Sequence, residues 1–319
     1  MQTHAHRPRV VVLMSTYQGE RWVAEQLRSI LDQLPTSGQV LVRDDGSRDG
    51  TAEQIERLGD PRVLLERGAN LGFGGSFLSL LSKAPADADL VMFADQDDVW
   101  LPGKIERAWQ HLQPLGETPG LYGSAQMLVD AHLQPLQATP PWPHPPSFAG
   151  ALTENMITGC TAALNRPALQ LLQRAGVPAG VRFHDWWLYL VISAFGQVVF
   201  DGQPTLLYRQ HGHNQIGHGA GWLGRQRQII RFLVRNDWVG ILLAQVAELM
   251  RCYGEALPPM ERRLVLDHFQ PVQGRWQPAW RLVFSPRRWR HWAFGEVALR
   301  LLLLLHRLRL WPRGPRRLT

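Results

Sequence analysis

Residues 9–14, RVVVLM, are an unbroken run of mostly β-branched apolar positions, the pattern of a strand buried on both faces of a parallel sheet. The run stops at Ser15-Thr16-Tyr17. Across 19–34, Trp22, Val23, Gln26, Leu27, Ile30, Leu31 and Leu34 then recur at helical spacing. The exchange repeats with a strand over 39–43, a helix over 51–58, a strand over 62–66, a helix over 75–82 and a strand over 89–94. Such alternation predicts an open parallel α/β sheet. Further on, ATPPWPHPPS (138–147) holds five prolines in ten positions, which excludes helix and central strand and predicts a stiff surface loop. After mixed apolar sequence over 151–164, the pattern predicts helices near 167–175 and over 184–195. Short strands at 197–200 and 204–208 follow, and beyond 222 the chain reads as helices, the first over 222–250.

Composition adds two constraints. A chain of 319 residues with 45% hydrophobic and 19% charged positions can bury a sizeable core. Its two cysteines, Cys160 and Cys252, form neither a disulfide framework nor a zinc spacing, which suits a reducing cytosol. The start, MQTHAHRPRV, carries no apolar signal-peptide core, so none is predicted.

Charge divides the chain. Residues 1–219 carry 16 Lys and Arg against 21 Asp and Glu, whereas 220–319 carry 18 against 6. The acidic first part argues against a nucleic-acid groove, and the basic last part suits an anionic membrane surface. We therefore divide the chain into a catalytic unit, 1–220, and a basic helical region, 221–319. Within the latter, WAFGEVALRLLLLLHRLRLW (292–311) is broken by Glu296, Arg300, Arg307 and Arg309. A spanning helix needs roughly 18 or more apolar residues. An interfacial amphipathic helix is the better prediction; the alternative is a helix docked on this chain or between copies in a homo-oligomer.

In open α/β sheets, ligands bind beyond the carboxyl ends of the strands. Three predicted strands deliver polar clusters there: Thr16-Tyr17, Asp44-Asp45-Gly46-Ser47 and Asp95-Gln96-Asp97-Asp98. Crowded carboxylates repel one another unless a cation compensates. Hard Mg²⁺ or Mn²⁺ takes carboxylate oxygens and leaves positions open for phosphate.

With these clusters in view, the chain resembles the family-2 glycosyltransferases, and within them the bacterial polysaccharide enzymes that include rhamnosyltransferases. The resemblance is carried by STYQGERWVAEQLRSILDQ (15–33), DDGSRDGT (44–51), NLGFGGSF (70–77), ADQDDVWLPGKI (94–105), HDWWLYL (184–190) and YRQHGHNQIG (208–217). It implies the A-type glycosyltransferase fold, an open and mostly parallel nucleotide-binding sheet flanked by helices, here with a helical C-terminal extension. It also implies inverting transfer from a nucleoside-diphosphate sugar, UDP- or dTDP-linked, to a glycan or lipid-linked hydroxyl. The work would be done on the cytoplasmic face of the plasma membrane.

Carried onto this sequence, the resemblance gives Tyr17, with Thr16 beside it, a place against the nucleobase. Asp44 or Asp45 would accept from the base or the ribose. Asp95-Gln96-Asp97 matches the family's DxD motif, with Asp97 as direct metal ligand and Asp95 holding metal or ribose. Lys104 would meet phosphate charge or stand solvated at a helix start. Arg209 would contact the diphosphate, and His211 would be either a further metal ligand or structural. Asp185 takes the general-base position, although His184 precedes it where the family commonly has glutamate. Trp186 and Trp187 would offer flat faces to a sugar, or pack in the core.

Two other functions compete. A sugar-nucleotide nucleotidyltransferase would carry a glycine-rich loop directly after the first strand, where this chain has STYQGE. A catalytically silent sugar-nucleotide-binding protein would be expected to lose Asp97 or Asp185, and both are present.

Overall fold

The structure is a computed structural model that describes residues 8–210, 237–272, 275–308 and 310. In its first half β1 (Val10–Thr16), α1 (Val23–Leu31), β2 (Gln39–Asp44), α2 (Thr51–Arg57), β3 (Val63–Arg67), α3 (Gly72–Lys83) and β4 (Leu90–Ala94) alternate as the periodicity predicts. The two-residue β5 (Val99–Trp100) and α4 (Lys104–Leu112) follow, then the long β6 (Gly120–Val129) and its edge partner β7 (Pro135–Ala138). The chain continues through α5 (Phe148–Ala151), β8 (Ala163–Asn165), α6 (Arg166–Arg174), α7 (His184–Phe195) and β9 (Gln197–Arg209). The C-terminal part comprises α8 (Trp238–Tyr253), α9 (Pro259–His268), a hairpin of β10 (Phe269–Val272) and β11 (Arg275–Pro278), α10 (Trp280–Phe284) and α11 (Ala293–Arg307).

The sheet has the order β3-β2-β1-β4-β8-β6-β9-β5, with β7 paired to β6. From β3 to β4 the strands are parallel. The short β8 is antiparallel to both β4 and β6, and β6 and β9 are parallel to each other. The sheet is therefore mixed. The apolar run of β1 is buried throughout because each face meets its own core. Val11 and Leu13 face one cluster, and Val10, Val12 and Met14 face the other. Helices α1 and α4 cover the second cluster, whereas α3, α6 and α7 cover the first.

Two expectations change. The strands predicted at 197–200 and 204–208 are one strand, β9, whose register with β6 slips where Asp201 to Pro204 pass Ser124 and Ala125. Of the helix predicted over 222–250, only the part from Trp238 onward lies among the described residues. The boundary at 220 also falls outside them, but the chain beyond it joins the first core through Leu242, Val246, Leu282, Trp289, Leu299 and Leu303.

Candidate active site

The carboxyl ends of β1, β2 and β4 lie side by side, since β1 pairs with both neighbours in parallel register. β1 ends at Thr16, β2 ends at Asp44, and Asp95 directly follows β4. The three polar clusters therefore meet at one edge. Thr16 Oγ1 donates to Asp44 Oδ1 over 3.1 Å, and Ser47 donates to the same carboxylate through its amide (2.9 Å) and hydroxyl (2.5 Å). The turn needs Gly46, whose φ of 84° a side chain would resist. Asp45 is also buried, but it pairs with the Arg43 guanidinium and accepts from the Leu71 amide at 2.8 Å. It thereby ties β2 to the segment leading into α3. Tyr17 stands about half exposed at the rim.

Gln96, to which the sequence assigns no role, is a clamp. Its Oε1 accepts from the Tyr17 amide at 2.8 Å, and its Nε2 donates to the Tyr17 carbonyl at 2.9 Å. Gln26, buried on α1, donates to the Asp95 carbonyl at 2.9 Å. Both are long amides spanning neighbouring loops, and no sequence spacing announces that.

The acidic loop after β4 is electrostatically loaded. Burial, then the neighbouring charges of Asp97 and Asp185, lift the Asp95 carboxyl to about 7. Burial, then Asp97 and Asp95, raises Asp98 well above the carboxylate range. Ligand atoms of Asp95, Asp98 and Cys160 lie within 4.8 Å of one another. Asp95 and Asp98 supply carboxylate oxygens that fit a hard divalent cation, whereas Asp97, the ligand expected from the sequence, is not in this cluster; positive charge there would offset the burial and repulsion that raise Asp95. Cys160 fits poorly, because burial beside Asp98 keeps it a neutral thiol. His211 lies outside the described residues.

Four expectations need correction. Lys104 is neither at the phosphate site nor solvated. Its side chain turns inward from the start of α4, where Nζ lies 3.0 Å from the Cys160 carbonyl and 3.1 Å from Thr205 Oγ1. Burial lowers its pKa to about 8, opposed by Cys160 and Asp98, and it serves as a buried donor to the Cys160 carbonyl and Thr205. Arg209 is likewise buried. Its Nε holds the Asp97 carbonyl at 2.9 Å, its Nη1 the Ala131 carbonyl at 2.9 Å and its Nη2 Glu25 at 2.6 Å, with the guanidinium 4.1 Å from the Trp22 ring centroid. It braces the acidic loop instead of facing a ligand. Trp186 and Trp187 are core residues, each only 1% exposed. Trp186 donates to the Ala151 carbonyl at 2.7 Å and stacks on Trp238, because α7 is buried on all its faces.

Asp185 occupies the first turn of α7. Its Oδ1 accepts from the Trp186 amide at 2.8 Å and its Oδ2 from the Gly159 amide at 3.2 Å. These donors and the Asn155 side chain favour the ion, yet burial dominates and lifts the carboxyl to about 6. His184 packs against Phe77 and Phe93, with centroids 4.2 and 5.6 Å away, and neither ring nitrogen has a hydrogen-bond partner. Burial presses its pKa to about 3, so it is a neutral apolar filler where the family commonly has glutamate. A Cβ at Gly159 would fall 2.6 Å from His184 Nε2, so only glycine brings that amide to Asp185.

Comparison with known proteins gives a consistent result. A family model described as "Glycosyl transferase family 2" matches residues 11–171. The chain is 28% identical to the dTDP-rhamnosyl transferase RfbG of Shigella flexneri, over 70% of this chain and 80% of that one. It is 30% identical to the Escherichia coli UDP-Glc:alpha-D-GlcNAc-diphosphoundecaprenol beta-1,3-glucosyltransferase WfgD, over 30% of this chain and 38% of that one. Among solved structures, S. aureus TarS 1-349 superposes with a TM-score of 0.52 at 15% identity, covering 85% of this chain and 96% of that one. The mannosyltransferase PcManGT from Pyrobaculum calidifontis, in complex with GDP-Man and Mn2+, gives 0.50 at 18% identity, covering 95% and 88%. At these identities the structural likeness shows the fold alone.

Proposed function

Because the chain belongs to the family 2 glycosyltransferases, we propose that it moves a sugar, with inversion, from a dTDP- or UDP-linked donor to a hydroxyl of a lipid-linked glycan during bacterial surface-polysaccharide synthesis. Rhamnose is the leading donor sugar, supported by the similarity to RfbG. An undecaprenyl-diphosphate acceptor, of the kind named for WfgD, supports work at a membrane surface. The observation that carries the reading is the meeting of Thr16, Asp44 and the acidic loop at the shared carboxyl edge of β1, β2 and β4.

In this reading Tyr17 covers the base, and Asp44, held by Thr16 and Ser47, accepts from base or ribose. Asp97 and Asp95 would hold Mn²⁺ or Mg²⁺, which when bound supplies positive charge to the leaving diphosphate. As the acceptor oxygen bonds to the anomeric carbon and the bond to the diphosphate breaks, Asp185 takes the hydroxyl proton. The Gly159 and Trp186 amides hold its carboxylate in place.

Purified protein should release nucleoside diphosphate from a dTDP- or UDP-sugar in Mn²⁺, stop in EDTA, and resume on re-addition of metal. Asp97→Asn should weaken donor binding and turnover together. Undiminished turnover by Asp97→Asn in chelator would remove the metal from the reaction, and inertness toward every sugar nucleotide tried would overturn the reading.

A further inference from the structure

Helix α11 carries two apolar faces instead of one. Leu299, Leu302 and Leu303 are buried against the first core. Around the same helix Phe294, Val297, Leu301 and Leu308 form a second stripe at helical spacing, each at least 49% exposed. Arg300 and Arg307 line the border between that stripe and the neighbouring α10: Arg300 donates to the Val283 carbonyl, and Arg307 sits 5.6 Å from the Trp280 ring. Beyond the arginines Trp280 and Phe284 stack on each other in the open, Phe284 being 70% exposed. Eight of the fifteen large apolar side chains exposed among the described residues lie from Trp280 onward. So much aromatic and aliphatic surface in one place marks an interaction site.

We propose that this face is a membrane-docking surface, laid flat in the interfacial region of an anionic bilayer. Charge argues for lipid. Arg281, Arg287 and Arg288 are exposed, and Arg300 of α11 reaches the Arg287 carbonyl at 3.0 Å. Residues 220–319 hold 18 Lys and Arg against 6 Asp and Glu. Of those acids Glu296 is bonded to Arg300 and to the Trp289 and Arg290 amides, and Asp267 faces Arg281. A self-complementary contact between copies would set these arginines against one another, whereas an anionic headgroup layer neutralises them. Among the described residues no helix is long and apolar enough to cross a membrane, so the face lies on the bilayer and does not span it. The proposal deepens the membrane placement suggested above and does not depend on the donor or the acceptor.

The test uses the full chain and vesicles of phosphatidylcholine with about one-third phosphatidylglycerol, against phosphatidylcholine alone. The intact protein should float with the anionic vesicles, and added salt should weaken the binding. Val297→Asp with Leu301→Asp puts two charges on side chains 67% and 55% exposed, so folding should be spared. Partition should fall by about tenfold or more, with sugar-nucleotide hydrolysis off the membrane unchanged. Leu136→Asp, exposed on β7, should float like the parent. Flotation of the double variant at the parent's level would overturn the docking face but leave membrane placement standing. Failure of the parent to float would overturn both without touching the transferase reading. A parent dimer made monomeric by the double variant, with no vesicle binding, would assign the face to a second copy.

Discussion

Burial lifts the Asp185 carboxyl to about 6 although two backbone amides and Asn155 hold its ionised form. A general base must be ionised, so turnover should fall roughly tenfold per pH unit as the pH drops below about 6. Asp185→Asn should lose about 10²–10⁴-fold in kcat with little change in donor affinity. Stability should move the other way. The folded-state pKa lies above that of the unfolded chain, so between about 4 and 6 the folded chain holds a proton the unfolded one has released. This group's contribution therefore falls as pH rises through that window, and it stays unfavourable above it. Asp185→Asn removes that cost and should raise stability at pH 8 by on the order of 2 kcal/mol in EDTA, with much less gain at pH 4. Urea melts at the two pH values measure it. Equal losses of stability at both would make Asp185 a structural residue.

The loop Asp95–Asp98 owes its shape to elements remote in sequence. Gln26 comes from α1, Gln96 reaches the turn after β1, and Arg209 arrives from the end of β9 to hold the Asp97 carbonyl. A loop of four residues with three acids would otherwise spread. Removing the guanidinium frees that carbonyl and the Ala131 carbonyl and breaks the pair with Glu25, which is itself half exposed. Arg209→Met should therefore cost about 1–3 kcal/mol of stability and lower Mn²⁺ affinity in the donor-free protein, measurable by calorimetry. If Arg209 touched only the diphosphate, metal binding without donor would not change. The acidic pattern of this loop was legible in the chain, but its bracing was not, because Arg209 looks like any cation near a phosphate until its burial is known.

The C-terminal helices are part of the molecule's main core as well as the bearer of its basic charge. Trp289 is fully buried, Thr153 Oγ1 donates to its carbonyl at 2.9 Å, and Glu154 Oε2 accepts from the His291 amide at 2.9 Å. These contacts fall just before Asn155, which helps hold Asp185. Truncation from residue 289 onward should therefore destabilise the catalytic unit, by about 3–5 kcal/mol for the loss of Trp289 alone. Thermal melts of the shortened and the full chain decide it, and equal melting temperatures would show the segment from 289 onward to be a detachable appendage.

Strands β1, β2 and β4 and the polar turns that end them were readable from the chain because period, β-branching and turn chemistry are local. A buried parallel strand must be apolar throughout, and the turn that ends it must lie at the sheet's carboxyl edge. β6 escaped notice because GLYGSAQMLV mixes glycine, serine and glutamine with apolar residues, although it is almost entirely buried. The antiparallel insertion of β8 between β4 and β6 escaped for a related reason: three residues set no period. Side-chain direction was decided only by the tertiary structure. Helix α7 is apolar on every face, so nothing in HDWWLYLVISAF says whether its tryptophans meet a sugar or the core. Lys104 and Arg209 carry charges that sequence reasoning sends to solvent or phosphate. The fold instead turns them inward, Lys104 to the Cys160 carbonyl and Thr205, Arg209 to the back of the acidic loop, because buried oxygens need hydrogen-bond donors where solvent does not supply them.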